Sequence, residues 1–186
     1  MFKRTILFFG LTVCLGATAC AQELTTNGGF ETGDLTGWTL GGSASAFVTT
    51  SPVHSGTYSA KLTPGTSDNI LYQTINTTAG DVYSFSVWLI DTGRAGDSSD
   101  FDKLYWDGNI VPGSPTFVPG DSVWHNYSFD LQATGSTTHI GVEAYNPSGN
   151  YFLDDVSVMA APAPEPASLS LIALGAVALF RRRQAR

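Results

Sequence analysis

Apolar and polar residues alternate with a period of two in five stretches between Tyr58 and Val158. In "YSFSVWLI", Tyr83, Phe85, Val87 and Leu89 share one face, and Ser84, Ser86, Trp88 and Ile90 share the other. "HNYSFDL" sets His125, Tyr127, Phe129 and Leu131 against Asn126, Ser128 and Asp130. "HIGVEAY" sets Ile140, Val142 and Ala144 against His139, Gly141, Glu143 and Tyr145. "FLDDVSV" groups Phe152, Asp154, Val156 and Val158, and "YSAKLT" groups Tyr58, Ala60 and Leu62. Each run predicts a half-buried strand, and no long run shows the spacing of an amphipathic helix. Many short strands separated by turns predict an all-β domain, a β-sandwich. "WDGN", Trp106 to Asn109, predicts a tight hairpin turn, because Asp-Gly tolerates positive φ. The acid-rich stretch from Asp91 to Asp102 is expected to be a solvated loop rather than a cation site.

Charge divides the chain into a body and two ends. Only Lys61, Arg94 and Lys103 are basic in the body, against fifteen acids from Glu23 to Asp155, so its net charge is about −12. Such a surface repels phosphate backbones and excludes nucleic acid as the expected partner. The other bases lie at Lys3 and Arg4, and at Arg181, Arg182, Arg183 and Arg186. A basic start, an apolar run from Ile6 to about Leu15 and small residues through Ala19-Cys20-Ala21 predict a signal peptide over 1–21. The apolar run is shorter than the ~20 residues of a membrane span. The residues before Cys20 lack the leucine of a lipoprotein signal. Cys14 and Cys20 both fall in this leader, so the body, 22–160, must be held by its core or by metal rather than by disulfides.

The other end, 161–186, has three parts: Pro164-Glu165-Pro166, an apolar segment over 167–180, and an arginine cluster over 181–186. Fourteen residues of helix reach about 21 Å, short of a hydrocarbon core of about 30 Å. A short membrane helix with its arginines on the cytoplasmic side is expected, leaving the body outside. This order of parts resembles the PEP-CTERM sorting signal of Gram-negative bacteria. The resemblance implies Pro164, Glu165, Pro166, Arg181, Arg182 and Arg183 as the recognised features and an exosortase-type enzyme as the processing partner. It also implies transient anchoring in the inner membrane, followed by sorting to the cell surface or the extracellular matrix.

The body has a resemblance of its own. "NGGFETGDLTGW" (Asn27 to Trp38), "HSGTYSAKLT", "GDVYSFSVWL", "WHNYSFDLQAT" and "YFLDDVSV" follow the order seen in carbohydrate-binding-module-like, galactose-binding-like jelly rolls. The fold this implies is a jelly-roll β-sandwich, flanked by the signal peptide and the short C-terminal helix. It also implies a structural Ca²⁺ where the first and last strands meet, with Glu31 and Asp154 as side-chain ligands. Asp154 shares the parity of Val156 and Val158, so its carboxylate is expected towards the core, where it needs a cation or a proton. Asp155 has the opposite parity and is expected to face solvent. Carbonyls around Gly33 and in the "HSGT" loop are candidate further ligands, since Ca²⁺ takes six to eight oxygens.

The polar faces of two runs carry Trp88, His139, Glu143 and Tyr145. On one exposed sheet these would form an aromatic floor with hydrogen-bonding edges, the chemistry that holds a sugar ring; Asn126 and Asp130 would add acceptors. For catalysis, no G-x-S-x-G elbow, phosphate loop or metal-spaced histidine pair is present among His54, His125 and His139. Pairs of carboxylates arise by chance among sixteen acids. The expected function is therefore an exported, non-catalytic carbohydrate-binding-like module engaging extracellular polysaccharide. A purely structural matrix protein is the alternative, and a glycan hydrolase a distant one.

Overall fold

A computed structural model describes residues 21–42, 45–63, 69–93, 101–115, 118–145 and 149–160. The leader before Ala21 and the whole sorting segment, with Pro164, Glu165, Pro166 and Arg181 to Arg183, lie outside the described residues. Residues 21–161 form one compact unit. The described residues contain no helix.

Among the described residues, ten strands form two antiparallel five-stranded sheets. They are β1 (Thr39–Gly42), β2 (Ala46–Thr49), β3 (Ser59–Leu62), β4 (Asn69–Asn76), β5 (Val82–Asp91), β6 (Phe101–Trp106), β7 (Asn109–Ile110), β8 (His125–Gln132), β9 (Thr137–Tyr145) and β10 (Tyr151–Ala160). One sheet has the order β1-β4-β9-β6-β7, and the other β2-β3-β10-β5-β8. The expected all-β jelly-roll sandwich is the observed fold.

The core follows from the alternation. Leu71, Leu104, Ile140 and Val142 of the first sheet meet Phe85, Val87, Leu89 and Leu153 of the second, all almost fully buried in one cluster. Trp106 joins the layers: its ring lies 6.1 Å from Tyr83 and 6.2 Å from Phe85, and its indole N–H donates to the Gln132 carbonyl at 3.0 Å. Tyr127, Phe129 and Leu131 of the edge strand β8 are half-buried against the cluster, while Asn126, Ser128 and Asp130 are exposed. Asp107 and Gly108 take φ of 52° and 75°, so "WDGN" forms the expected hairpin between β6 and β7.

Three expectations need correction. Asp91 and Asp102 are not solvated: they end β5 and start β6 at 0 % exposure, and Asp102 Oδ2 accepts the Val118 N–H at 2.9 Å. The middle of that stretch, 94–100, lies outside the described residues. The alternation of β10 is also broken. Its register against β5 shifts between Asp154 and Ser157, and Asp155 has φ of 46°. This bulge flips the parity. Tyr151 and Leu153 face the core before it, Val156 and Val158 after it, so Asp154 does not share their face.

The segment from Asn27 to Trp38, expected from its resemblance to be the first strand, is instead a loop tied by its own polar groups. Asn27 Nδ2 donates to the Asp34 and Thr36 carbonyls, and its Oδ1 accepts the Thr32 N–H. The Thr36 side chain first, then the Thr32 hydroxyl and the Thr36 N–H, hydrogen-bond the Asp34 carboxyl and hold it below the usual range. Phe30 and Trp38 pack beneath it at 5.7 Å. Gly28 lies against β10 so closely that a Cβ there would sit 1.9 Å from the Val156 carbonyl oxygen. The preceding residues run beside β10, with Glu23 bridged to Met159 and the Leu24 N–H bonded to the Val158 carbonyl.

Because Phe85 fills the centre of the sandwich at 1 % exposure, Phe85→Ala should cost about 3–5 kcal/mol in urea unfolding. Val123→Ala, at 53 % exposure, should change stability by less than about 0.5 kcal/mol. Equal effects would contradict the assigned core.

Candidate functional site

The outer face of the first sheet is built by the residues that alternate with its core. The register aligns Tyr72 of β4, Gly141 of β9 and Tyr105 of β6 in one row across the sheet. Two half-buried tyrosines thus stand one strand to either side of a residue with no side chain. Adjacent strands lie about 4.8 Å apart, so the tyrosines are roughly 10 Å apart at the backbone. A Cβ at Gly141 would come 3.3 Å from Ile70 Cδ1 and 3.5 Å from Tyr105 Cβ; its absence leaves a trough. The cleft along this row has a volume of about 410 Å³, and Ile70, Tyr72, Tyr105, His139 and Glu143 help line it.

Polar groups stand at its ends. On one side Glu143, at 7 % exposure, accepts from the Tyr105 hydroxyl and pairs with Lys103 Nζ at 3.5 Å. On the other, exposed His139 bonds through Nδ1 to the Thr74 hydroxyl at 2.9 Å. Aromatic walls, an open base, an acceptor and an imidazole are suited to a flat ring with a polar rim.

The expected floor is divided. His139, Glu143 and half-buried Tyr145 do belong to one face of β9. Trp88 does not join them. It lies on β5, in the other sheet, where it pairs with Asp154 and Asn126. The two faces are back to back because each sheet buries its inner face against the other. One face of Trp88 is already occupied: the His54 ring stacks on it at 3.8 Å and 17°. Asn126 and Asp130 are on β8, on the Trp88 side. Tyr72, Tyr105 and Lys103 were missed because strands were not assigned to 69–76 or 101–106. In the first of these, Gln73 interrupts the apolar row Leu71–Ile75. It is buried all the same, since its amide pairs with the Thr26 N–H at 2.7 Å and the Thr26 carbonyl at 2.9 Å. In the second, "KLYW" alternates, and that short signal would have exposed Lys103 and Tyr105.

A second polar centre lies where the N-terminal loop, the segment 54–58 and the β10 bulge meet. Glu31 accepts N–H bonds from Thr57 at 2.9 Å and Tyr58 at 3.0 Å. Asp154, at 0 % exposure, accepts from the His54 and Ser55 N–H groups through Oδ2 and from the Asp155 N–H through Oδ1. It is buried under this loop rather than in the core. Asp155 does not simply face solvent: it pairs with His54 Nδ1 at 2.6 Å and accepts the Ser55 hydroxyl at 2.8 Å. A Cβ on Gly29 would lie 3.4 Å from Asp155 Oδ1, 3.9 Å from Asp154 Oδ1 and 3.8 Å from Glu31 Cγ, so Gly29 sits between all three acids. Among the described residues no three His, Cys, Asp or Glu side chains are grouped to hold a metal by themselves. A hard cation would have to complete its shell with backbone carbonyls, which Ca²⁺ accepts.

Residues 22–148 match the carbohydrate binding domain model of the CBM 4/9 type. The chain belongs to that carbohydrate-binding family. Residues 162–184 match the PEP-CTERM protein-sorting motif, which marks export and surface sorting. No curated protein sequence matches the chain. Among solved structures, the domain is similar to TmCBM61 in complex with β-1,4-galactotriose, at 21 % identity and a TM-score of 0.59, over 75 % of this chain and 99 % of that one. It is similar to the CBM22-1 xylan-binding domain of Paenibacillus barcinonensis Xyn10C, at 18 % identity and a TM-score of 0.53, over 77 % and 95 % of the two chains. It also resembles part of the enzymatically active domain of bacteriophage CBA120 tailspike protein 4, at 16 % identity and a TM-score of 0.57, covering 75 % of this chain and 21 % of that one. At these identities the likeness is one of fold.

Burial raises the pKa of Asp154 above 3.8, and the three N–H bonds oppose the shift without cancelling it. The folded domain therefore holds this proton more tightly than the unfolded chain. Between 3.8 and the raised value, stability falls as pH rises. Urea titrations in chelator should show that fall, and Asp154→Asn should flatten it; parallel slopes would contradict the assignment.

Proposed function

We propose that this protein is an exported, non-catalytic carbohydrate-binding protein whose glycan site is the tyrosine-walled trough over Gly141. The row Tyr72–Gly141–Tyr105 carries the reading. Sugar rings present C–H faces to aromatic walls and hydroxyls to acceptors, and Glu143 and His139 stand at the two ends of the trough. The walls stand to either side of β9 and the polar groups lie along it, so an extended polymer would run along β9 between the two tyrosines. Two similar structures are named for such ligands, one in complex with β-1,4-galactotriose, an oligosaccharide, and one xylan-binding.

The leader over 1–21 would direct export, and an exosortase-type enzyme would process the tail after transient anchoring in the inner membrane of a Gram-negative cell. The carbohydrate-binding domain would then act at the surface or in the polysaccharide matrix. Ca²⁺ held by exposed Glu31 and buried Asp154 would neutralise both carboxylates and tie the N-terminal loop to β10. It would act structurally, in place of the disulfides that the body, lacking cysteine, cannot form.

Calorimetric titration with neutral β-linked oligosaccharides tests the trough. Tyr72→Ala and Tyr105→Ala should each weaken binding roughly thirty-fold, about 2 kcal/mol, as for buried aromatic anchors at other interfaces. Trp88→Ala should leave the affinity unchanged while the domain stays folded. Loss of binding in the Trp88 variant alone would place the site on the other sheet. Calcium should raise the melting temperature of the parent protein and not that of Glu31→Gln/Asp154→Asn; an equal rise in both would remove the metal from these residues.

A further inference from the structure

We propose that the trough selects amino sugars bearing a free ammonium group over N-acetylated and acidic sugars, and that Glu143 is the selecting residue. This rests on the trough being the glycan site. Its first support is the disposition of the one carboxylate in the trough. The bonds from the Tyr105 hydroxyl and Lys103 Nζ both end on Glu143 Oε2. Among the described residues none ends on Oε1, and Glu143 lines the cleft. One oxygen anchors the carboxylate and the other offers an acceptor to the ligand. At 7 % exposure little water competes for it, so a charged donor would form a strong, charge-assisted bond there.

The second support is the charge around it. The body carries about −12, and among the described residues both of its cations, Lys61 and Lys103, have partners. Lys61 lies over Phe47 and Phe152 on the other sheet, at 5.4 and 5.6 Å from the rings. Lys103 is paired with Glu143 at 3.5 Å. Arg94 lies outside the described residues. At Glu143 a uronate or sulfate would meet a carboxylate as well as the Lys103 ammonium paired with it, whereas a cationic polymer would be drawn in by the field. Lys103 opposes an incoming ammonium. Its contact with Glu143 is long, 3.5 Å, and its side chain is 32 % exposed, so this pair competes only weakly for the carboxylate. His139 lies two residues beyond Gly141, held by Thr74, and does not contact Glu143.

The test is calorimetric titration of the full-length protein with three probes: β-1,4-linked hexamers of glucosamine, N-acetylglucosamine and glucose. The glucosamine hexamer should bind about ten-fold more tightly than either of the others. Glu143→Gln should abolish that preference, and Lys103→Met, which removes the competing cation, should increase it. A hexalysine peptide should not displace the sugar, since charge without a ring finds no tyrosine wall. Equal affinity for the three probes, a preference that persists in Glu143→Gln, or displacement by hexalysine would overturn the proposal. If the Gln variant fails to fold, Lys103→Met decides alone: a preference that falls or stays the same refutes the role of Glu143. Binding of the glucose hexamer with no gain for the amine would defeat this proposal and leave the glycan trough standing. No binding of any probe would defeat both.

Discussion

Everything on the surface of this domain is placed by the packing of two inner faces. Trp106 against Tyr83 and Phe85, with Leu104, Ile140 and Val142 against Val87, Leu89 and Leu153, fixes which side chains of each strand are buried. Strand residues alternate, so the same packing sends the others out to one of two faces that cannot cooperate. His139, Gly141 and Glu143 emerge on one side because Ile140 and Val142 are held on the other. Tyr72 and Tyr105 emerge beside them because Leu71 and Leu104 are core. Trp88 leaves from the opposite sheet for the same reason. The trough is a by-product of core packing plus one glycine.

The β10 bulge is the one place where alternation gives way, and it gathers chain segments that are distant in sequence. One extra residue at Asp155 turns the Asp154 carboxylate under the 54–58 segment. There it meets backbone N–H groups one hundred residues away. Glu31 joins from the N-terminal loop, and Glu23 and Leu24 run beside the same strand just after the bulge. A domain without cysteines thus closes its ends through carboxylates and amides. The burial of Asp154 sets a cost that a proton or a cation relieves.

Much of this was legible from periodicity. The strands around Phe85, Phe129, Ile140 and Ala60 were readable because their apolar residues repeat without exception, and the "WDGN" turn because Asp-Gly admits positive φ. What alternation cannot reveal is which sheet a strand joins, so Trp88 and His139 looked like neighbours. Nor can it register a bulge, which is why Asp154 appeared to share a face with Val158. The tyrosines of the trough escaped notice where a buried Gln73 imitated a surface residue, its amide satisfied by the backbone of Thr26. Buried Asp91 and Asp102 passed for loop acids in the same way. In each case a polar side chain is buried because tertiary structure supplies its partner, and a single strand carries no trace of that partner.

The central claim is that ligand engages the outer face of the sheet that contains β9. Backbone amide shifts, followed by nuclear magnetic resonance while a neutral β-linked oligosaccharide is added, test it most directly. The account predicts saturable changes concentrated at Tyr72, Tyr105, Gly141 and their strand neighbours, with β5 and β8 still. Changes centred on Trp88 and Asn126, with the β9 sheet silent, would contradict it.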